Sequence, residues 1–142
     1  GMYSLTGLCT GSVQAIMADT TAMKMSVEPL PLFMRAILCN ILVCLAVWCG
    51  IKMKTETGKL IMTFWCLITF FTAGFEHSVA NMSYISGGLF VQAEYGTLGL
   101  DTAGLTWYNF LVSNLVPVTL GNIAGGLFTG ILYWFTGKGS KQ

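Results

Sequence analysis

A glutamate and a histidine stand side by side in the middle of a long apolar stretch of this 142-residue sequence. Glu76 carries the only formal charge between Lys59 and Glu94, and His77 is the only histidine in the chain. Ionisable residues are costly at membrane depth and usually mark a path for ions or protons. With an ordinary pKa of about 6.5, His77 could donate a hydrogen bond or a proton to a passing anion. The alternative is a neutral histidine that ties two helices together.

The neighbouring Glu76 is expected to have a different task, because adjacent residues cannot share one helical face. An unpaired carboxylate is too costly to leave in an apolar environment, so it needs hydrogen-bond donors. We expect Glu76 to accept hydrogen bonds from the backbone or from an amide, and Asn40 in the first apolar segment is a reasonable partner. Glu76 is therefore interpreted as structural, and His77 as the group that meets a solute.

Three further residues are candidates for lining a solute path, and each has a structural alternative. Phe70 is seven residues before His77, so on an intact helix its ring shares that face and could form a hydrophobic constriction rather than face lipid. Lys24 could attract anions to a pore mouth, or could extend its ammonium to the membrane surface. Asn122 could face a pore or a neighbouring helix, and both interpretations stay open.

The composition is that of a membrane protein. Apolar residues make up 54% and charged residues only 9%, against about 25% charged residues in soluble domains, and the mean hydropathy is +0.70. The net charge is +1 without a basic run, which argues against a nucleic-acid partner. Gaps between charges predict membrane spans at 31–50, 60–93 and 109–135, and residues 11–25 predict a short helix at the membrane edge.

The cysteines predict no metal centre. There are five of them, no two form a CxxC motif, and the single histidine argues against a Cys/His zinc cluster. We expect them to act as small apolar side chains.

The middle span is too long for one straight helix. Its residues, 60–93, would extend about 50 Å, whereas the apolar layer of a membrane is about 30 Å thick. Gly74 precedes the polar pair and Gly87-Gly88 follows it. We therefore predict two half-helices separated by a non-helical stretch from about Glu76 to Asn81. Such backbone is tolerated at membrane depth only where it is buried in protein or lines a cavity, and broken helices are typical of transport sites.

The distribution of lysines predicts the orientation. The connection 52–59 and the C-terminus carry lysines, whereas the connection 94–108 has two acidic residues and no basic one. The positive-inside rule places the lysine-bearing segments, and hence the C-terminus, on the cytoplasmic side of a plasma membrane. The N-terminus is then outside. A three-span chain of this kind looks like the second half of a transporter built from two inverted repeats.

Three strings resemble the signature segments of the formate/nitrite transporter family: RAILCNILVCLAVW, FFTAGFEHSVANM and NLVPVTLGNIAGG. The resemblance extends from about Ser12 to Phe135. It implies an all-α membrane protein with an aquaporin-like bundle of two inverted repeats. Residues 1–142 would form the C-terminal, second three-helix repeat with its broken middle helix. It also implies a partner repeat with helices one to three, and a homopentamer in the lipid bilayer.

The resemblance assigns roles to six residues. The pore or substrate-binding positions are His77, Phe70, Asn122 and Lys24, and the supporting positions are Glu76 and Asn40. The family consists of channels and transporters for small monovalent anions such as formate, nitrite and hydrosulfide, so no enzyme activity, catalytic residue, cofactor or metal is expected. In overall appearance the sequence is most similar to the hydrosulfide-channel branch.

Two other functions stay open on the residues alone. One is an aquaporin-like pore for neutral solutes. The other is a membrane anchor subunit of a redox enzyme with His77 as a haem ligand, although bis-histidine ligation needs two histidines and this chain has one.

Overall fold

The computed structural model describes residues 11–96 and 104–139, and these residues form helices and turns without any strand. The first four helices of the described residues are α1, Ser12–Met25; α2, Pro29–Lys52; α3, Glu56–Thr72; and α4, Ser78–Tyr95. The short α5, Trp107–Asn109, continues through a π-helical turn, Phe110–Leu115, into α6, Val116–Gly139. The predicted all-α fold is confirmed for the described residues.

Among the described residues, two helices are long and apolar enough to cross a membrane, Pro29–Lys52 and the continuous run Trp107–Gly137. Between them the chain forms two shorter helices, α3 and α4, of 17 and 18 residues. Residues 73–77 between α3 and α4 are non-helical. An interrupted helix was thus correctly predicted, but the predicted bounds of Glu76 to Asn81 were wrong, because Ser78 to Asn81 already belong to α4.

The chain forms two compact units, each built from segments distant in sequence. Of the described residues, the first unit contains 11–31, 78–96 and 104–117, and the second contains 32–77 and 118–139.

The first unit is built around the contact between α1 and α4. Its core contains the buried side chains of Ile85, Leu89, Leu105 and Phe110. The Thr21 hydroxyl is buried beside α4 and donates to the carbonyls of Met17, at 2.7 Å, and Tyr84, at 3.3 Å. Gly88 faces this hydroxyl, and a β-carbon there would overlap Thr21 and lie 3.0 Å from the Met17 carbonyl oxygen. The glycine therefore allows α1 to approach α4 closely.

The second unit brings α2 and α6 together in a similarly close contact. A β-carbon at Gly121 would lie 2.7 Å from the β-carbon of Ala36, and Gly125 packs directly against the carbonyl of Ile37. Small residues at such contacts let membrane helices approach each other closely. Nearer the ends of these helices the rings of Trp48 and Tyr133 stack with their centroids 4.2 Å apart.

We predict that Gly88→Ala destabilises the protein, because the added methyl group has no space between α1 and α4. Overpacking of this kind typically costs about 1–3 kcal/mol. The matched control is Gly130→Ala, where a β-carbon meets nothing within 4 Å. Unfolding of both variants in lipid micelles, followed by circular dichroism during an SDS titration, measures the difference. Equal stability of the two variants would contradict the close α1–α4 contact.

Candidate functional site

The interruption after α3 is formed by a Schellman motif, the turn in which a left-handed residue ends a helix. Gly74 adopts φ 66° at the position that favours glycine. The N–H of Gly74 donates to the Phe71 carbonyl at 3.3 Å, and the N–H of Phe75 donates to the Phe70 carbonyl at 3.1 Å. The position of Gly74 explains why the break comes earlier than the polar pair alone indicated.

The turn brings an aromatic ring close to the single histidine. The ring centroids of Phe70 and His77 are 6.2 Å apart and their planes are inclined by 34°. Phe70 is 6% exposed, whereas the adjacent Phe71, stacked on it at 4.3 Å, is 57% exposed. The sequence argument placed Phe70 and His77 on one face of an intact helix. The helix is not intact, and the turn at Gly74 is the physical reason for their proximity.

Asn122 connects the break to two helices. This buried residue lies on α6, and its amide nitrogen donates to the carbonyls of Ala36, at 2.9 Å, and Glu76, at 3.0 Å. The amide of Asn40 on α2 in turn donates to the backbone carbonyl of Asn122. An amide nitrogen has two N–H groups, so both have protein acceptors here. These contacts give Asn122 a supporting role, and its predicted role in lining a pore stays a prediction.

The carboxylate of Glu76 belongs to a buried residue, 2% exposed. The amide nitrogen of Asn40 bonds to the Asn122 carbonyl, so the predicted direct pair between Asn40 and Glu76 stays a prediction. The contacts show an indirect connection: Asn40 binds Asn122, and Asn122 binds the backbone of Glu76.

Lys24 lies in the first unit, in the last turn of α1, and is half-buried. Its backbone carbonyl accepts a hydrogen bond of 3.1 Å from the Asn114 side chain. The Asn114 carbonyl oxygen accepts at 3.0 Å from Asn81. Sequence reasoning gave neither asparagine a role at a site, although a buried amide in an apolar segment is a signal of such a role.

This arrangement offers a titratable imidazole beside an aromatic ring at a helix break. Within 11–96 and 104–139 no cluster of three His, Cys, Asp or Glu side chains could hold a metal ion. An imidazole can in general donate a hydrogen bond or a proton, and the role of His77 toward a solute stays a prediction.

Comparison with known proteins identifies the family to which this sequence and fold belong. The model of the formate/nitrite transporter family matches residues 1–135. The chain belongs to the formate/nitrite transporter family. A formate channel of Haemophilus influenzae is 45% identical over 103 residues, which cover 66% of this chain and 36% of that protein. A nitrite transporter of Salmonella typhimurium is 34% identical over 145 residues, covering 99% of this chain and 49% of that protein.

The family's solved structures agree with the fold. A pentameric formate channel with formate bound superposes with a TM-score of 0.81 at 31% identity, covering 95% of this chain and 58% of that one. This family member is therefore an all-α membrane protein. The chain spans about a third to a half of the length of the curated relatives named above.

We predict that Asn122→Leu destabilises the second unit, because the carbonyl of the buried Glu76 loses its amide donor. Two buried hydrogen bonds are lost, so the free energy of unfolding falls by about 2–4 kcal/mol. The matched control is Thr129→Val, which removes a buried hydroxyl on the same helix that donates only to the Gly125 carbonyl. Denaturation in lipid micelles compares the variants. A loss no greater in Asn122→Leu than in Thr129→Val would show that the break does not need the amide.

Proposed function

We propose that the chain forms part of a membrane channel for small monovalent anions, in which His77 and Phe70 contribute to the pore. The observation that carries this proposal is the Phe70–His77 pair, 6.2 Å apart at a helix break, in a member of a family of anion channels and transporters. The relatives named as formate channel and nitrite transporter indicate the substrate class.

The electrostatic cost of transfer explains why the pair is suited to this task. A bare anion that leaves water for an apolar constriction loses most of its solvation energy. An imidazole just beyond the constriction can donate a hydrogen bond or a proton, and either one offsets this loss. Phe70 supplies the apolar constriction, and the half-buried His77 supplies the donor. The anion, or its conjugate acid, then passes without full hydration.

Lys24 is proposed to raise the anion concentration at the outer mouth of the pore. A positive charge attracts anions through its local potential, and this effect weakens as salt screens it. Glu76, Asn40 and Asn122 are proposed as the support of the pore, because their contacts hold the backbone of the break. Among these three residues, Asn122 is also proposed to lie nearest the path of the solute.

The assembly is proposed from the family. One solved structure similar to this chain is a pentameric formate channel, and the chain spans 58% of it. We propose a homopentamer in the inner membrane, with the C-terminus in the cytoplasm and a partner repeat that completes each pore. The ammonium of Lys52 lies 5.0 Å above the Trp48 ring. A lysine and stacked aromatic rings at one end of α2 and α6 fit the cytoplasmic membrane interface.

We predict that His77→Phe lowers formate flux about 10- to 100-fold, the loss expected for a hydrogen bond to a charged group. Wild-type flux rises as pH falls from about 8 to 5, because protonation makes His77 a better donor. The His77→Phe variant loses this dependence. The measurement is flux into liposomes carrying the native assembly, with protein-free liposomes as the baseline for leakage of formic acid.

The conservative variant His77→Gln separates the two roles of the imidazole. Glutamine donates a hydrogen bond but does not titrate, so we expect it to retain more flux than phenylalanine while losing the pH response. Unchanged flux and pH response in both variants would remove His77 from the mechanism.

We predict that formate, nitrite and hydrosulfide compete with one another for transport. All three are small and monovalent, and the pore groups on this chain, one apolar ring and one donor, do not distinguish between them. Inhibition of labelled formate uptake by the other two anions tests this, and their order identifies the preferred substrate. Water flux without anion flux in stopped-flow measurements would favour a neutral-solute pore instead.

A further inference from the structure

The C-terminal end of α1 is held by a side chain from the π-helical turn. The last four carbonyls of a helix have no N–H partner in the helix itself. At this end the N–H of Ser26 donates to the Ala22 carbonyl at 3.0 Å, and the Asn114 amide donates to the Lys24 carbonyl at 3.1 Å. Lys24, whose side chain is proposed to attract anions, is therefore held by a hydrogen bond from Asn114 to its backbone carbonyl.

A second amide fixes the orientation of Asn114. The carbonyl oxygen of Asn114 accepts from the Asn81 amide at 3.0 Å, while its nitrogen faces the Lys24 carbonyl. If the Asn114 amide were reversed, its nitrogen would face the Asn81 nitrogen and its oxygen would face the Lys24 carbonyl oxygen. The observed orientation instead pairs a donor with an acceptor at both contacts. Asn81 and Asn114 are 0% and 2% exposed, so water does not compete for these bonds.

The local helix geometry at Asn114 is also unusual. The turn Phe110–Leu115 is π-helical, a form that is rare and often found at functional sites. Pro117 follows shortly afterwards and lacks the N–H that would continue a regular ladder. Asn114 therefore lies where the backbone departs from the regular α-helix.

We propose that Asn114 is a positioning residue for Lys24: by holding the Lys24 carbonyl, it fixes the end of α1 and thereby the place of the Lys24 ammonium. This inference rests on the proposed role of Lys24 in attracting anions. The energy of a charge–charge interaction depends on distance, so displacement of the ammonium weakens its local potential at the pore mouth. Asn81 acts through Asn114 by keeping its amide in the required orientation.

The test is Asn114→Leu in the native assembly, with formate flux measured against formate concentration at low and high salt. At low salt the half-saturating concentration rises about 3- to 10-fold and no longer depends on salt, because the local attraction is lost. The maximal flux stays within about twofold, since the chemistry beyond the mouth is unchanged.

Lys24→Gln gives the same pattern, and the double variant is no worse than Lys24→Gln alone. Asn114→Gln, which keeps an amide donor, recovers part of the affinity.

Thr129→Val is the control, since it removes a buried hydroxyl of α6 in the other unit; we expect it to leave the half-saturating concentration and its salt dependence unchanged. If Lys24→Gln raises the half-saturating concentration and Asn114→Leu does not, the positioning role is wrong and the proposed channel function stands. If Lys24→Gln has no effect, the role of Lys24 fails and that of Asn114 with it. A fall in maximal flux alone, or failure of Asn114→Leu and Asn114→Gln to assemble, would assign Asn114 to folding and overturn the proposal.

Discussion

Backbone polar groups in an apolar environment must find partners within the protein, and residues 73–77 are where this chain meets that constraint. The N–H groups of 73–75 bond back to the final carbonyls of α3, and the Glu76 carbonyl accepts from Asn122. Without these bonds the break would carry unpaired groups at a cost of several kcal/mol each. Because they are formed, the chain can leave the helix beside His77 and place the imidazole next to Phe70.

Neutral amides connect several of the segments around this constraint. An asparagine side chain can donate and accept at once, so it links two backbone segments without the desolvation cost of an ion. The described residues of each compact unit contain a series of amide hydrogen bonds that ends on a backbone carbonyl. In order from donor to acceptor these are Asn40, Asn122 and Glu76 in one unit, and Asn81, Asn114 and Lys24 in the other. The middle asparagine accepts through its side chain at Asn114 and through its backbone carbonyl at Asn122. The two final acceptors are the backbone carbonyls of Glu76 and Lys24. Glu76 is adjacent to His77, which is proposed to meet the anion, and the side chain of Lys24 is proposed to attract it.

Much of this fold follows from the placement of charges and the lengths of apolar segments. The predicted span at 31–50 lies inside the helix Pro29–Lys52, and the predicted span at 109–135 lies inside the continuous helical run Trp107–Gly137. Long apolar segments with few charges are typical of such helices. The break was also predictable, since the middle segment is too long for one helix. Its location was not, because it depends on the left-handed conformation of Gly74 and not on the polar pair.

The hydrogen-bond partners were beyond sequence reasoning for a related reason. Asn40 and Asn122 are far apart in the sequence, and their contact depends on the close packing of α2 and α6. Polarity alone indicated Glu76 as the partner of Asn40, since it is the charge most in need of a donor. The Asn40 amide bonds to the backbone carbonyl of Asn122, a buried group that also needs a donor, and its predicted pairing with Glu76 stays a prediction.

The Schellman motif couples the position of Phe70 to that of His77 in a specific way. The carbonyl of Phe70 accepts the bond that closes the turn, while the ring of the same residue faces His77. The ring can change rotamer without breaking that backbone bond, although it must then leave its stacked neighbour Phe71, which is largely exposed. The backbone turn therefore determines where the Phe70 backbone lies relative to the imidazole, and in the proposed pore the side-chain rotamers would determine the width of the constriction. A change of the Phe70 rotamer need not move His77, so in the proposed channel the donor would stay in place while the aromatic ring admits or excludes a solute.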